Sequence, residues 1–459
     1  MTLVTLTALS GTLTLPARAA PPAADGPAVP YAFARDVRTV EGAEDTTDAV
    51  RLDPGRTYRS TLPAAGKRYY RLELDATSSA YVSATAVPGA GAQVTSSDGL
   101  KVSVQDADGT TCSTGTTHIG PTQSPHPIAA WASRETGPGH YVCKGAGVYY
   151  VVVERRVPAG ETSADDWDLE LAPVSEPALR EADTTAPPGA WESATPEPVL
   201  GDAAPREGGA GFADAAALGQ GVWRDAVKPG QTLFYKVPVD WGRRLSATVE
   251  MGSSPGGDGY VGTALAVSLY NPARARVDDA GAGYSGAQTS ASLRPLPPVD
   301  YANRHAVGDR TSAMRFAGWY YLAVHLGTPV GERFGEGPFG LTLRVRVSGT
   351  PVSGPAYAGR SAPRDVFEVT AEDREAAAPD GAVNGDGSAG PGAGSADEAA
   401  GSGGEGGEAG AVGPERGGTR TLTLVAVGGI GTGSALVLWL GLWTVVARRR
   451  ARGRWAGTG

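Results

Sequence analysis

Two cysteines, three methionines, seven phenylalanines and five histidines are all that this chain of 459 residues contains of those types. Two cysteines cannot build a four-thiolate zinc site or a disulfide-dense scaffold; they can form one bridge. None of His118, His126, His140, His305 and His325 falls in H-E-x-x-H or another ligand spacing, so no metal ligand and no cofactor is assigned. Positive charge is scarce too, with 40 Lys and Arg against 49 Asp and Glu and a formal net charge of −9. A phosphate-backbone binder needs a basic face, so nucleic acid is excluded as a partner. Before residue 421 no long segment carries a capped helical period. "FADAAALGQG" near Phe212 offers a turn or two, which excludes helical bundles.

Glycine and proline are abundant, at 66 and 35 residues, and mark turns and linkers. Sixteen tyrosines and nine tryptophans outnumber phenylalanine, a balance that suits half-exposed sheets.

The chain repeats itself. "YRSTLPAAGKRYYRLELD" from Tyr58 matches "WRDAVKPGQTLFYKVPVD" from Trp223 without a gap, pairing Tyr69-Tyr70 with Phe234-Tyr235. "LKVSVQD" from Leu100 matches "LAVSLYN" from Leu265 at the same offset of 165 residues. "AGVYYVVV" from Ala146 matches "AGWYYLAV" from Ala317 at an offset of 171, and closing strands "DWDLELAPV" and "PFGLTLRVRV" follow. Three blocks in one order with nearly constant offsets are a duplication. Within the last strand, Leu341, Leu343, Val345 and Val347 share one face and Thr342, Arg344 and Arg346 the other. Such short alternating strands predict an all-β chain of two tandem antiparallel β-sandwiches.

Each copy resembles the bacterial pre-peptidase C-terminal domain. The likeness rests on "KPGQTLFYKVPV" and its weaker partner "AAGKRYYRLEL", on "VSVQDADG" with "VSLYNPAR", and on the late "AG-x-YY" strand. It implies a jelly-roll-like sandwich, and an accessory binding or spacing module rather than an enzyme. The copies are placed at 45–175 and 208–350, joined by a proline-punctuated linker over 176–207.

The termini point outside the cell. Residues 1–20 read as a signal peptide with Ala17-Arg18-Ala19 as an A-x-A-like cleavage site. No Lys or Arg precedes Arg18, so the start of the signal is expected upstream of Met1; a Thr/Ala-rich unstructured N-terminus is the alternative. Residues 371–419 are Gly, Ala, Ser, Glu and Asp and predict a disordered stalk, with an r.m.s. span of about 40 Å. "DVFEVT" from Asp365 is read as one further strand. Residues 421–447 carry no charge and reach about 40 Å as a helix, enough to cross a bilayer. A buried core helix is the alternative. Arg448, Arg449, Arg450, Arg452 and Arg454 then place a 448–459 tail in the cytoplasm, a type I single-pass arrangement in the cell membrane. Gly429 and Gly433 form a G-x-x-x-G that permits weak self-association of the span.

Cys112 and Cys143 both lie in the first copy, and outside the cell they are expected to form a disulfide. The offsets set Val277 against Cys112 and Met314 against Cys143, so these positions point inward and a bridge replaces packing.

Little suggests catalysis. "GSSPG" around Ser254 fits G-x-S-x-G, but "GGDGYVG" follows and cannot open the helix that a nucleophile elbow requires. Asp106 and Asp108 in "DADG" read as a turn before a calcium site. The Asp165-Asp166 and Asp278-Asp279 pairs read as solvated loops, and His325 as an edge or turn residue. The expected function is therefore non-enzymatic display of two modules for a protein or cell-envelope partner. Trp131 and Trp191, in loop-like context, are the candidate binding aromatics. The other reading is an accessory scaffold of a membrane secretion or protease complex.

Overall fold

The computed structural model describes residues 30–157, 165–181 and 185–378. The signal segment, the span with Gly429 and Gly433, the basic tail and the stalk beyond residue 378 lie outside the described residues. Among the described residues no helix is long and apolar enough to cross a membrane.

The first module runs through β1 (Arg38–Thr39), β2 (Val50–Arg51), β3 (Tyr58–Leu62), β4 (Lys67–Leu74), β5 (Ser79–Val87), β6 (Gly99–Asp106), β7 (Thr111–His118), β8 (Ile128–Arg134), β9 (Gly147–Arg156) and β10 (Trp167–Glu176). The second repeats this series as β11 (Ala204–Pro205), β12 (Ala216–Ala217), β13 (Gly221–Val227), β14 (Thr232–Val239), β15 (Arg244–Met251), β16 (Val261–Tyr270), β17 (Arg276–Tyr284), β18 (Thr289–Ser292), β19 (Gly318–Leu326) and β20 (Phe339–Ser348). Each module is a sandwich of two five-stranded sheets. The orders are β1-β3-β10-β5-β8 and β2-β4-β9-β6-β7 in the first, and the second has the same two orders with every strand advanced by ten.

The expectation of wholly antiparallel sheets needs correction. β1 runs parallel to β3, β2 to β4, β11 to β13 and β12 to β14. The chain alternates between sheets at its start, so it crosses the sandwich and returns before pairing, and such a crossover leaves the two strands parallel. These lead-in strands also belong to the repeat. "DAVRL" from Asp48 corresponds to "DAAAL" from Asp214, with Leu52 and Leu218 both buried.

The register confirms the offsets residue by residue. Tyr70 pairs with Val151 as Tyr235 pairs with Leu322, and Tyr149 and Tyr320 face the two cores while Tyr150 and Tyr321 face outward. Tyr70 donates to Ser60 Oγ at 2.8 Å and Tyr235 to Asp225 Oδ2 at 2.7 Å, tying the two sheets together at the same place in both copies. Burial, only partly offset by Ser60, pushes the Tyr70 hydroxyl up to about 12. Gly42 and Gly208 lie against these rings; a Cβ would come within 2.5 Å of the Tyr70 hydroxyl or 2.8 Å of Tyr235 Cζ. The tyrosine requires the glycine in both modules.

Three short helices decorate the second module: α1 (Asp309–Ser312), α2 (Pro329–Phe334) and α3 (Ala371–Ala377). The last corrects the expected stalk. Thr370 and Asp373 form a capping box, Ala377 is buried, and Arg374 pairs with Asp240 at 2.7 Å, so folded structure continues through residue 377. "DVFEVT" is a turn rather than a strand, with Phe367 buried at 1% exposure.

Cys112 and Cys143 form the disulfide, with Cα atoms 5.7 Å apart. Cys112 occupies a bulge between β6 and β7, and Val277 occupies the equivalent bulge between β16 and β17. Val277 and Met314 are both buried in the second core. Replacing both cysteines by Ala is expected to cost about 3–4 kcal/mol, as loop closure of this length predicts. Cys112→Val with Cys143→Met should recover about 1–2 kcal/mol of that by restoring apolar packing. Urea unfolding of the two double variants checks this, and equal losses would show that the positions are not interchangeable.

Candidate functional site: the seam between the modules

The two sandwiches share a built interface. The outer face of the β10-β5-β8 sheet meets the outer face of the β14-β19-β16 sheet. Ala129 of β8 packs with Phe212, Phe234, Tyr270 and Ala323 of the second module. Farther along, Tyr81, Trp131 and Val174 pack with Ala273, Phe316 and Phe367. Phe316 and Phe367 stack at 4.2 Å, and Tyr81 meets Phe316 edge-on at 5.3 Å.

Three buried ion pairs cross this seam, and all three acids come from the first module. Glu135 accepts at both oxygens from Arg315 Nη1, at 3.0 and 2.9 Å, and also from the Ser133 hydroxyl at 3.2 Å. Glu176 pairs with Arg304 at 2.7 Å, and Glu170 with Arg274. Glu170 also accepts from the Tyr31 hydroxyl, and Glu176 from Tyr81 and Tyr357. Burial pulls the Glu135 carboxyl up, but Arg315, Arg304 and His140 outweigh it and hold it below the usual carboxylate range. Burial lowers the Arg304 guanidinium, and Glu176 more than reverses this and raises it.

Two of the three acids have no acidic counterpart in the second module. Glu170 lies opposite Arg59, and its counterpart opposite Arg224 is Thr342. Glu176 lies opposite Ser79, and its counterpart opposite Arg244 is Ser348. The corresponding outer face of the second module is crossed instead by the intermodule segment, whose Glu192 and Val199 carbonyls accept from Arg244 and Arg344. The linker residues thus form a strap on one sheet.

Both ends of the folded unit cross the seam. Tyr31 reaches Phe234 at 5.9 Å, and the Ala32 amide donates to the Ala210 carbonyl. After β20 the chain returns to the first module, where Ser175 and Ala362 exchange backbone bonds, before Phe367 enters the seam.

Histidine marks the middle. His325 is a correction to the edge or turn reading: it is 2% exposed, on the inner strand β19. Its Nδ1 lies 3.0 Å from Thr232 Oγ1 and its Nε2 3.0 Å from Ser124 Oγ of the first module. His126 stacks on it at 4.5 Å.

Two clefts open along the seam. One, of about 320 Å³, has Thr77, Thr136 and His140 on one wall and Tyr301, Arg304 and His305 on the other. It sits beside the disulfide loop, where Tyr141 is 85% and Val142 51% exposed and the Lys144 ammonium lies 5.2 Å from the Tyr141 ring. The other, of about 550 Å³, has Phe33, Arg59 and Asp168 together with His126. Arg59 spans Asp168 and the Phe33 face, at 2.9 and 4.5 Å.

The two candidate aromatics part company. Trp131 lies on β8 rather than in a loop; Tyr81 stacks on it at 5.1 Å and Arg315 lies 5.7 Å from its ring, so its role is in the seam. Trp191 is half-buried in the irregular intermodule segment. Ser254 donates to the Gly256 carbonyl at 2.6 Å, and no helix follows it. Asp106 accepts from the Asp108 and Thr110 amides, an ordinary Asx turn. Asp278 corrects the solvated-loop reading: it is buried on β17 and accepts from Arg294 at the amide, at 2.9 Å, and at the guanidinium. Among the described residues no group of three or more His, Cys, Asp or Glu is placed to hold a metal ion.

No family model matches the sequence, and no curated protein is similar to it at a significant level. Solved structures give faint likenesses. The tandem CBM22-1–CBM22-2 domain of Xyn10C from Paenibacillus barcinonensis is 10% identical, with 63% of this chain and 84% of that one covered and a TM-score of 0.18. The CUB1-EGF-CUB2 region of human MASP-1/3 is 8% identical, with 63% and 99% covered and a TM-score of 0.16. The ANXUR2 extracellular domain of Arabidopsis thaliana is 8% identical, with 65% and 85% covered and a TM-score of 0.17. Likeness at this level carries no argument about ligand or activity.

Arg315→Met alone strands the buried Glu135 carboxylate and is expected to destabilise the protein by about 3–5 kcal/mol. Joining it with Glu135→Met removes both charges and should return most of that loss. Urea unfolding of both variants measures the difference.

Proposed function

We propose that this chain is a non-enzymatic, surface-anchored binding protein whose two sandwiches act as one rigid head for a protein or cell-envelope partner. The observation that carries the reading is the seam. Apolar clusters, three buried ion pairs and the segments around Tyr31 and Phe367 weld the modules, so residues from both stay in fixed register along the clefts. Preorganised walls lower the ordering cost of binding. The disulfide loop adds exposed apolar side chains, Tyr141 and Val142, beside the smaller cleft. In that cleft the charged floor is already satisfied, since Arg304 is matched by Glu176 and lies 3.5 Å from the Tyr301 ring. The remaining groups suit an uncharged or hydroxyl-bearing partner.

The head is held outside the membrane by residues 421–447 as a type I span, with the glycine-rich segment from 379 as spacer and the arginine tail inside. Descent from a pre-peptidase C-terminal type module, and a jelly-roll description of each sandwich, fit this reading.

Two experiments test it. Tyr141→Ser with Val142→Ser is expected to reduce retention of the full chain on purified cell wall or membrane extract at least tenfold with its unfolding midpoint unchanged. Trp131→Ala should lower the midpoint. Unaltered retention in the loop variant would remove the loop from the site. Deletion of residues 421–459 is expected to move the protein from the membrane fraction to the medium, and continued membrane association would refute the anchor.

A further inference from the structure

We propose that the stacked pair His126–His325 is an acid-operated latch on the seam, and that a second proton on either ring releases the two modules from each other. The rings come from different modules and lie 4.5 Å apart with 24° between their planes.

Each ring is fixed by short hydrogen bonds. His126 Nδ1 lies 2.7 Å from the Ser124 carbonyl, which only accepts, so the proton sits there. The Ser124 hydroxyl accepts from the Thr328 amide at 3.1 Å and lies 3.0 Å from His325 Nε2. His325 Nδ1 lies 3.0 Å from Thr232 Oγ1. A charge on either ring would stand against the other ring, and at His325 little water is present to screen it.

Among the described residues neither ring is paired with a carboxylate. The strand neighbours of His325 are Thr232 and Ala266, and the turn beyond it brings Thr328 and Pro329. The hollows on either side of His126 contain the Arg59–Asp168 pair at 2.9 Å and the Arg276–Asp279 pair at 3.6 Å, each already matched. Asp166 and His118 also line these hollows and are exposed. In the first module Glu154 stands where the second has His325, and it pairs with Lys101 at 2.7 Å. The latch therefore belongs to the docking face and is not an inheritance of the repeat.

The sign follows from burial. Burial lowers both rings below the ordinary histidine value, and for His325 the neighbouring His126 lowers it further. The closed seam then holds fully above about pH 6.5 and weakens as pH falls below that toward the depressed values. Between pH 7.5 and 5 the opening equilibrium gains up to about 30-fold for each histidine that reaches its free value on opening. Acid would separate the walls of both clefts while leaving each sandwich folded.

Hydrogen exchange of the full chain at pH 7.5 and 5.0, rescaled for intrinsic rates, tests this directly. Amides of β8 and of Tyr321–Leu326 should lose protection at pH 5.0, while those of β6 in the first core keep theirs. Combining His126→Gln with His325→Gln should abolish the difference. A wild-type seam equally protected at both pH values, a double variant that still responds, or simultaneous loss in β6 would each overturn the proposal. Imidazole C2-proton exchange on the wild type reads the two pKa values without any substitution. Values at or above 6.5 for both rings would overturn it as well.

Discussion

Three carboxylates on one module meeting three guanidinium groups on the other is the constraint on which the rest of the structure depends. Glu135, Glu170 and Glu176 are nearly or wholly removed from water, as are Arg304 and Arg315. Charges in that position are tolerable only with their partners in place. The modules therefore have one register in which no charge is stranded, and sliding one sheet over the other breaks all three pairs. Apolar contacts between Phe212, Phe234, Tyr81, Phe316 and Phe367 supply the area, while the ions define the alignment.

Duplication alone would not have produced this. Two identical modules stacking one outer face against the opposite outer face of the next make a heterologous contact, which does not close on itself. Here the copies have diverged so that one contact is favoured. Glu170 and Glu176 stand on the first module's face, Thr342 and Ser348 occupy their places on the second, and the strap near Glu192–Val199 lies across that sheet. The interior of each sandwich, by contrast, changed little: the Tyr70–Ser60 and Tyr235–Asp225 ties and the glycines beneath them persist in both.

Internal packing was legible in the chain because it repeats with period two and occurs twice. Offsets of 165 and 171 residues place Tyr149 with Tyr320 and Cys112 with Val277, and the register carries them to equivalent sites. Less visible was "DAVRL" against "DAAAL", a match of small residues too short to stand out, although it sets the parallel lead-in strands. The seam escaped notice for a different reason. A residue such as Trp131, His325 or Glu170 occupies an outward position of its own sheet, and outward alternation reads as solvent. Phe367 lies in a stretch whose valines suggested a strand, yet its ring is used as a plug.

By itself, then, the amino-acid order determined an all-β chain with an internal duplication, one disulfide and the inward face of a strand such as β20. These depend on short-range alternation and on like residues at like spacing, both of which survive in one dimension. Only the tertiary structure decided that the two sandwiches are a single body, which charges are paired, and that two histidines distant in sequence stack on each other across the seam. Those outcomes depend on which outer faces meet, and no local period in a strand encodes the surface that will cover it.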